Sequence, residues 1–153
     1  MKINIPFYKQ KNEYYCGPAV LQMVFEFLGI KKTQEQLAEA LGTTEELGTT
    51  NKAMSRVTSR SGFSVVAKEG MTIDEVKDFL NNGLPVIVDF IEPKDSWQHF
   101  AILKGHEDNN LIFNDSTNGE DFIMSEDDFL SRWHDPNKGY KQWAMVISRP
   151  PKD

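Results

Sequence analysis

The hydrophobic period of the chain changes near residue 63, and that change limits it to a fold in which helices come first and an antiparallel sheet follows. Before it, Val20, Met23, Val24, Phe27 and Leu28 recur at helical spacing, with Gly29 where a helix would end. Thr33 with Gln36, and Thr72 with Glu75, fit capping boxes, and Leu37 and Leu41, then Val76, Phe79 and Leu80, supply the apolar faces behind them. Gly42 and Gly83 stop those two helices, and a further one spans Thr50 to Ser61 with Met54 and Val57 inward and Gly62 as terminator. From "FSVVAKE" onward the runs "LPVIVDFI", "QHFAILKGH", "NLIFND", "EDFIM" and "KQWAMVIS" are short, rich in β-branched and aromatic residues, and separated by turn formers. "EDNN" is a hairpin signal, and "SEDDFLSRW" inserts a short capped helix before the last strand. The expected class is α+β.

At 153 residues the chain fits one domain, 1–153, with no repeat or linker; "RPPKD" and the first few residues read as its loose ends. Hydrophobic residues at 39% and charged residues at 26% are the balance of a soluble globular protein, and no segment is apolar for long enough to span a bilayer. A formal charge of −6, with Lys and Arg scattered, argues against nucleic acid as a partner, since phosphate binding needs a clustered basic face. A single cysteine excludes an internal disulfide, and "MKINIPFYKQ" lacks the layout of a signal peptide, so a reducing cytoplasm is the expected location.

That cysteine, Cys16, opens the first apolar helix in "KQKNEYYCGPAV". Free N–H groups and the dipole at a helix start stabilise an anion, so a thiol there is well placed to ionise; Pro18 suits the first turn because its missing N–H costs nothing. Gly17, beside the nucleophile, permits a close approach and is, with Trp97, a candidate for contact with substrate. A lone cysteine is also a common core residue, so the reading depends on its company. Of His99, His106 and His134, only His99 begins a strand from which it can project onto the helix bearing Cys16. His106 lies by the hairpin turn, and His134 reads as a loop residue.

Asp115, at the end of the next strand, would lie beside His99 if the two strands pair through the hairpin, and a carboxylate there would orient the imidazole. Asn114 is the alternative, but alternation sends neighbouring side chains to opposite faces, so only one of them can serve. Gln10 carries an amide that can join the Cys16 N–H as a donor to an oxyanion. A metal site is disfavoured and no cofactor is expected: neither C-x-x-C nor H-x-x-x-H occurs, and His99 and His106, seven apart on a strand, should face opposite ways.

Gln, five residues, "CGPA" opening an apolar helix, then "HF" opening a strand and "ND" after a hairpin resemble the bacteriocin-processing, double-glycine leader peptidases, a papain-like family known as N-terminal domains of ABC exporters. The resemblance covers most of the chain. It implies a papain-like fold with the nucleophile helix packed on the sheet, Cys16 as nucleophile, His99 as general acid/base, Asp115 as orienting group and Gln10 as oxyanion donor. It also implies a peptide or protein substrate cut after small residues such as Gly-Gly, with Trp97 and Trp143 as candidate cleft walls. This chain departs from the pattern at Ser116, where the exporter domains usually show proline, and no transporter segment follows. The competing readings are a peptide-binding module of the same fold that has lost catalysis, and a related acyl transferase or deamidase.

Overall fold

The structure, a computed structural model, describes residues 1–137 and 139–150. Five helices and six strands follow in the order α1 (Cys16–Phe27), α2 (Gln34–Leu41), α3 (Asn51–Arg60), β1 (Ser64–Lys68), α4 (Ile73–Asn81), β2 (Val86–Ile91), β3 (Gln98–Glu107), β4 (Asn110–Asp115), β5 (Gly119–Ser125), α5 (Glu126–Arg132) and β6 (Ala144–Ser148). All six β-rich runs form strands, and the helical segments begin where their caps stand. Thr33 and Gln36 close a full capping box on α2. At α4, Thr72 accepts from the Glu75 N–H while the Glu75 carboxylate pairs with Lys68 at 2.5 Å. Ser125 caps α5 by accepting from the Asp128 N–H.

The strands make one antiparallel sheet in the order β1-β6-β2-β3-β4-β5, so the last strand of the chain lies between the first two. β3 is flanked by β2 and β4, with Phe90 opposite His99 and Ile102 opposite Asn114. Phe90 and Phe113 stack at 5.8 Å and meet Phe129 of α5, so α5 covers the sheet face that carries His99. The other face carries Asp89, Phe100 and Met145; Phe100 packs edge-on against Trp143 and Ser55 of α3 reaches the Met145 sulfur. α1, buried along Gly17–Leu21 and Met23–Phe25, runs against β3 and α2. Together these elements enclose one contiguous apolar core.

Two expectations are corrected at the edges. The first residues are not loose: Ile3 N–H donates to the Lys104 carbonyl at 2.7 Å, Lys2 bridges Gly105, and Ile3 and Ile5 are buried. Gly105 is obligatory there, because a Cβ would stand 2.4 Å from the Met1 carbonyl oxygen. Arg149, the first residue of "RPPKD", is also docked, its guanidinium donating to the Leu28 carbonyl at 3.1 and 2.9 Å beyond the end of α1. Residues 151–153 lie outside the described residues.

β3 bulges at Lys104, between the pairs Leu103–Phe113 and Gly105–Ile112. One extra residue inverts the alternation beyond it, so His106, opposite Leu111, faces the same side as His99 rather than the opposite one. The buried Lys104 ammonium is neutralised by Asp121 at 2.5 Å. No helix among the described residues is long and apolar enough to cross a membrane.

Candidate active site

Cys16 is the first residue of α1 and is partly exposed. No side chain caps this helix and no acidic residue stands in its first turn, so its terminal N–H groups remain available to an anion from outside the helix. Gly17 is buried, and a Cβ on it would fall 2.6 Å from Thr49 Oγ1. The close approach expected at this glycine is therefore made by the Thr49 side chain, and the residue serves to seat the helix start against the loop before α3.

His99 enters from the first turn of β3, only 6% exposed, and its Nε2 lies 2.7 Å from Asp115 Oδ1. Burial opposes a charged imidazole here, but the hydrogen bond to Asp115, and then the Cys16 side chain, outweigh it and push the His99 pKa up to about 10. Asp115 is 0% exposed. Burial alone would raise its pKa, yet the His99 contact and the Asn118 donors hold it below the usual carboxylate value. The backbone N–H groups of Thr117 and Asn118 donate to Oδ1 at 3.0 and 2.9 Å, and Asn118 Nδ2 donates to Oδ2 at 3.1 Å. Asn114 points the other way, its amide donating to the Ile5 and Pro6 carbonyls. Between the two neighbours, Asp115 is thus the one that meets the imidazole.

The other histidines stand apart. His106 Nε2 pairs with Asn81 of α4 at 2.9 Å, and burial together with the nearby Lys77 and N-terminal charges lowers its pKa. His134 Nδ1 meets the Asp135 carbonyl in the loop before β6.

Gln10 reaches the site through the turn after Asp115: its N–H donates to the Ser116 carbonyl at 3.1 Å, and its Oε1 accepts from Ser116 Oγ at 2.6 Å. The buried Gln34 secures this segment from behind, donating to the Lys9 carbonyl and accepting from the Lys11 N–H. Trp97 is 73% exposed beside His99, presented by a turn in which Glu92 accepts from the Lys94 and Asp95 N–H groups. Trp143, the other candidate wall, is buried against Phe100 and belongs to the core.

Sequence reasoning missed a second carboxylate near His99. Asp89 on β2 is 0% exposed and its Oδ2 accepts from Gln98 Nε2 at 2.6 Å and Tyr140 OH at 2.5 Å, while Oδ1 has no hydrogen-bond partner among the described residues. Burial pushes its pKa up to about 6, although Tyr140, Gln98 and the nearby Asn51 amide all oppose the rise. A lone charge inside the apolar run "LPVIVDFI" was its signal. Gln34 and the hydroxyls of Ser116 and Thr117 carried no periodic signal at all.

Three comparisons place the chain among known proteins. Residues 2–141 match the Peptidase_C39 like family. An uncharacterised protein of Methanothermobacter thermautotrophicus is 30% identical over 92% of this chain and 87% of its own length. The peptidase domain of Streptococcus ComA, a bifunctional ABC transporter of a quorum-sensing pathway, superposes with a TM-score of 0.77 at 24% identity, over 94% of this chain and 97% of that one. A double glycine motif protease from an AMS/PCAT transporter, in complex with its leader peptide, superposes equally well at 0.77 and 18% identity, over 97% of this chain and 94% of that one.

Proposed function

We propose a function from one premise: the chain belongs to the Peptidase_C39 like family. It is a cysteine peptidase that cleaves a peptide bond through Cys16, His99 and Asp115, with Gln10 as a donor to the oxyanion. The observation that carries this reading is the buried His99–Asp115 contact at 2.7 Å, with the Cys16 side chain near enough to the same imidazole to favour its charged form.

With Nε2 turned to Asp115, the ring nitrogen left for the thiol is Nδ1. His99 takes the Cys16 proton there, and Asp115 stabilises the resulting imidazolium without itself becoming protonated. The thiolate attacks the substrate carbonyl, and the oxygen takes the negative charge. The Cys16 N–H and the Gln10 amide then stabilise that charge where water cannot. Collapse breaks the C–N bond, His99 gives its proton to the departing amine, and a thioester remains on Cys16. A water molecule, deprotonated by His99, then attacks the thioester and releases the acid and the free thiol.

The solved structure of the double glycine motif protease with its leader peptide supports a peptide substrate cut after small residues such as Gly-Gly. In this chain Trp97, exposed and two residues before His99, is the candidate wall of the cleft that would receive it.

The pH dependence of Cys16 alkylation by iodoacetamide tests the reading without a substrate. Fast alkylation that persists well below the reference thiol pKa of about 8.5, and is lost in His99→Ala, is the expected result. A slow rate, or one indifferent to His99, would mean that Cys16 is structural.

A further inference from the structure

Gln10 is held more firmly than a loop glutamine needs to be. Oε1 accepts from two hydroxyls, Ser116 Oγ at 2.6 Å and Thr117 Oγ1 at 2.8 Å, while Nε2 donates to the Asn12 carbonyl at 2.8 Å. A carbonyl only accepts, so the amide must turn its nitrogen to Asn12 and its oxygen to the hydroxyls. Because the amide is planar, anchoring Oε1 and one N–H fixes the direction of the second N–H.

The anchor belongs to the same turn that prepares His99. Asp115 accepts from the Thr117 and Asn118 N–H groups and from the Asn118 side chain, which folds residues 115–118 over the carboxylate and brings both hydroxyls round to Gln10. Ser116 is 1% exposed, so its hydroxyl has no water to fall back on and would be costly to bury unpaired. Proline, usual at this position in the exporter peptidases that the sequence resembles, has no hydroxyl to offer.

We infer that Ser116 and Thr117 are positioning residues that aim the Gln10 amide at the oxyanion, so that one turn sets both the proton carrier and the oxyanion donor. This rests on the reading of the site as a thiol peptidase with Gln10 as donor.

The test uses the full chain with Ser116→Ala/Thr117→Val and two reactions at Cys16. Acylation by the p-nitrophenyl ester of N-acetylglycylglycine, followed by p-nitrophenolate release, passes through a tetrahedral oxyanion. Alkylation by iodoacetamide displaces iodide at a saturated carbon and does not. The double variant is expected to lose about 10- to 100-fold in acylation, somewhat less than deletion of an oxyanion donor, while its alkylation rate and pH profile stay those of the wild type. Thr117→Ser, which keeps both hydroxyls, should acylate normally. In a Gln10→Ala background the same two substitutions should cost nothing further, since the amide they aim is gone.

Acylation at the wild-type rate in the double variant, or an equal loss with and without Gln10, overturns the inference. So does a parallel fall in both reactions, which would make the hydroxyls merely supports of the turn. Failure of the underlying reading looks different: Gln10→Ala would acylate normally, or wild-type alkylation would be slow and indifferent to His99, and the inference would fall with it.

Discussion

Two aspartates flank β3, one on each neighbouring strand, and both are 0% exposed. Asp115 on β4 shares a face with His99, whereas Asp89 on β2, opposite Phe100, faces the other side. Their acidities move in opposite directions: Asp115 is held below the ordinary carboxylate value, and Asp89 is pushed up to about 6. Burial raises both. The difference lies in what meets the oxygens, because Asp115 has an imidazolium and three N–H donors, and Asp89 has only neutral donors. A buried carboxylate therefore becomes a permanent anion only where the chain supplies a cation and a turn of backbone amides.

The contrast can be broken or sharpened on one scale, the alkylation rate of Cys16 at pH 6. His99→Ala carries the largest expected effect: without its imidazolium a thiol of ordinary pKa is less than about 1% ionised there, so the rate should drop by about 100-fold or more. Asp115→Asn should follow with a loss of about 10- to 100-fold in alkylation, and more in peptide cleavage, because the imidazole loses both its counter-charge and its orienting partner. An NMR titration should place the His99 pKa lower in that variant than in the wild type. If Asp115→Asn left both rate and titration unchanged, the two aspartates would be equivalent and the contrast void.

Asp89→Asn should leave alkylation within about 3-fold, since Asp89 faces the other side of the sheet and its coupling to the His99 charge is weaker than its burial and its hydrogen bonds. Its mark is on stability. The folded pKa of Asp89 lies above the unfolded value, so the group favours folding in acid and loses that contribution as pH rises from 3.8 through about 6. Removing it should relieve the protein at pH 8, relative to pH 3.5, by about 3 kcal/mol. Urea titrations of both proteins at the two pH values measure this directly. Asp115, with a lowered pKa, has the opposite sign: its contribution is present above its unfolded pKa and is lost as pH falls through the folded one. For His99, raised to about 10, stabilisation is complete below pH 6.5 and is lost as pH climbs through 10.

His106→Asn should have the smallest effect, less than about 2-fold on alkylation, although it shares a strand and a face with His99. Its imidazole has its pKa lowered by burial and by the charges of Lys77 and the N-terminus, which together outweigh the opposing pull of the Glu126 carboxylate. Wild-type stability should fall in acid as pH drops through that lowered pKa, and the variant should lose this part of the decline.

Much of this was legible in one dimension. The caps at Thr33, Thr50, Thr72 and Ser125, the six β-rich runs and the Asp108–Asn109 turn, whose two residues take left-handed conformations, are local signals that the folded chain kept. His99 at a strand mouth and Asp115 across a hairpin could be placed together because one tight turn joins their strands, whereas Cys16, 83 residues before His99, could be joined to them only by its chemistry at a helix start. Long-range pairing escaped. Nothing local indicates that β6 inserts between β1 and β2, or that Met1–Ile3 pairs with β3. The Lys104 bulge is likewise invisible to alternation, and it reverses the face of His106.

The sequence by itself determined the elements, the class of fold and the chemical types at the site, because helical and strand periods, caps and turn residues act within a few positions. Tertiary structure alone decided which distant side chains meet. Ser116 and Thr117 meet Gln10 across more than a hundred residues, and Asp89 meets Tyr140 across fifty-one. Such contacts depend on strand order and sheet twist, which are set by the burial of the whole core rather than by any one segment.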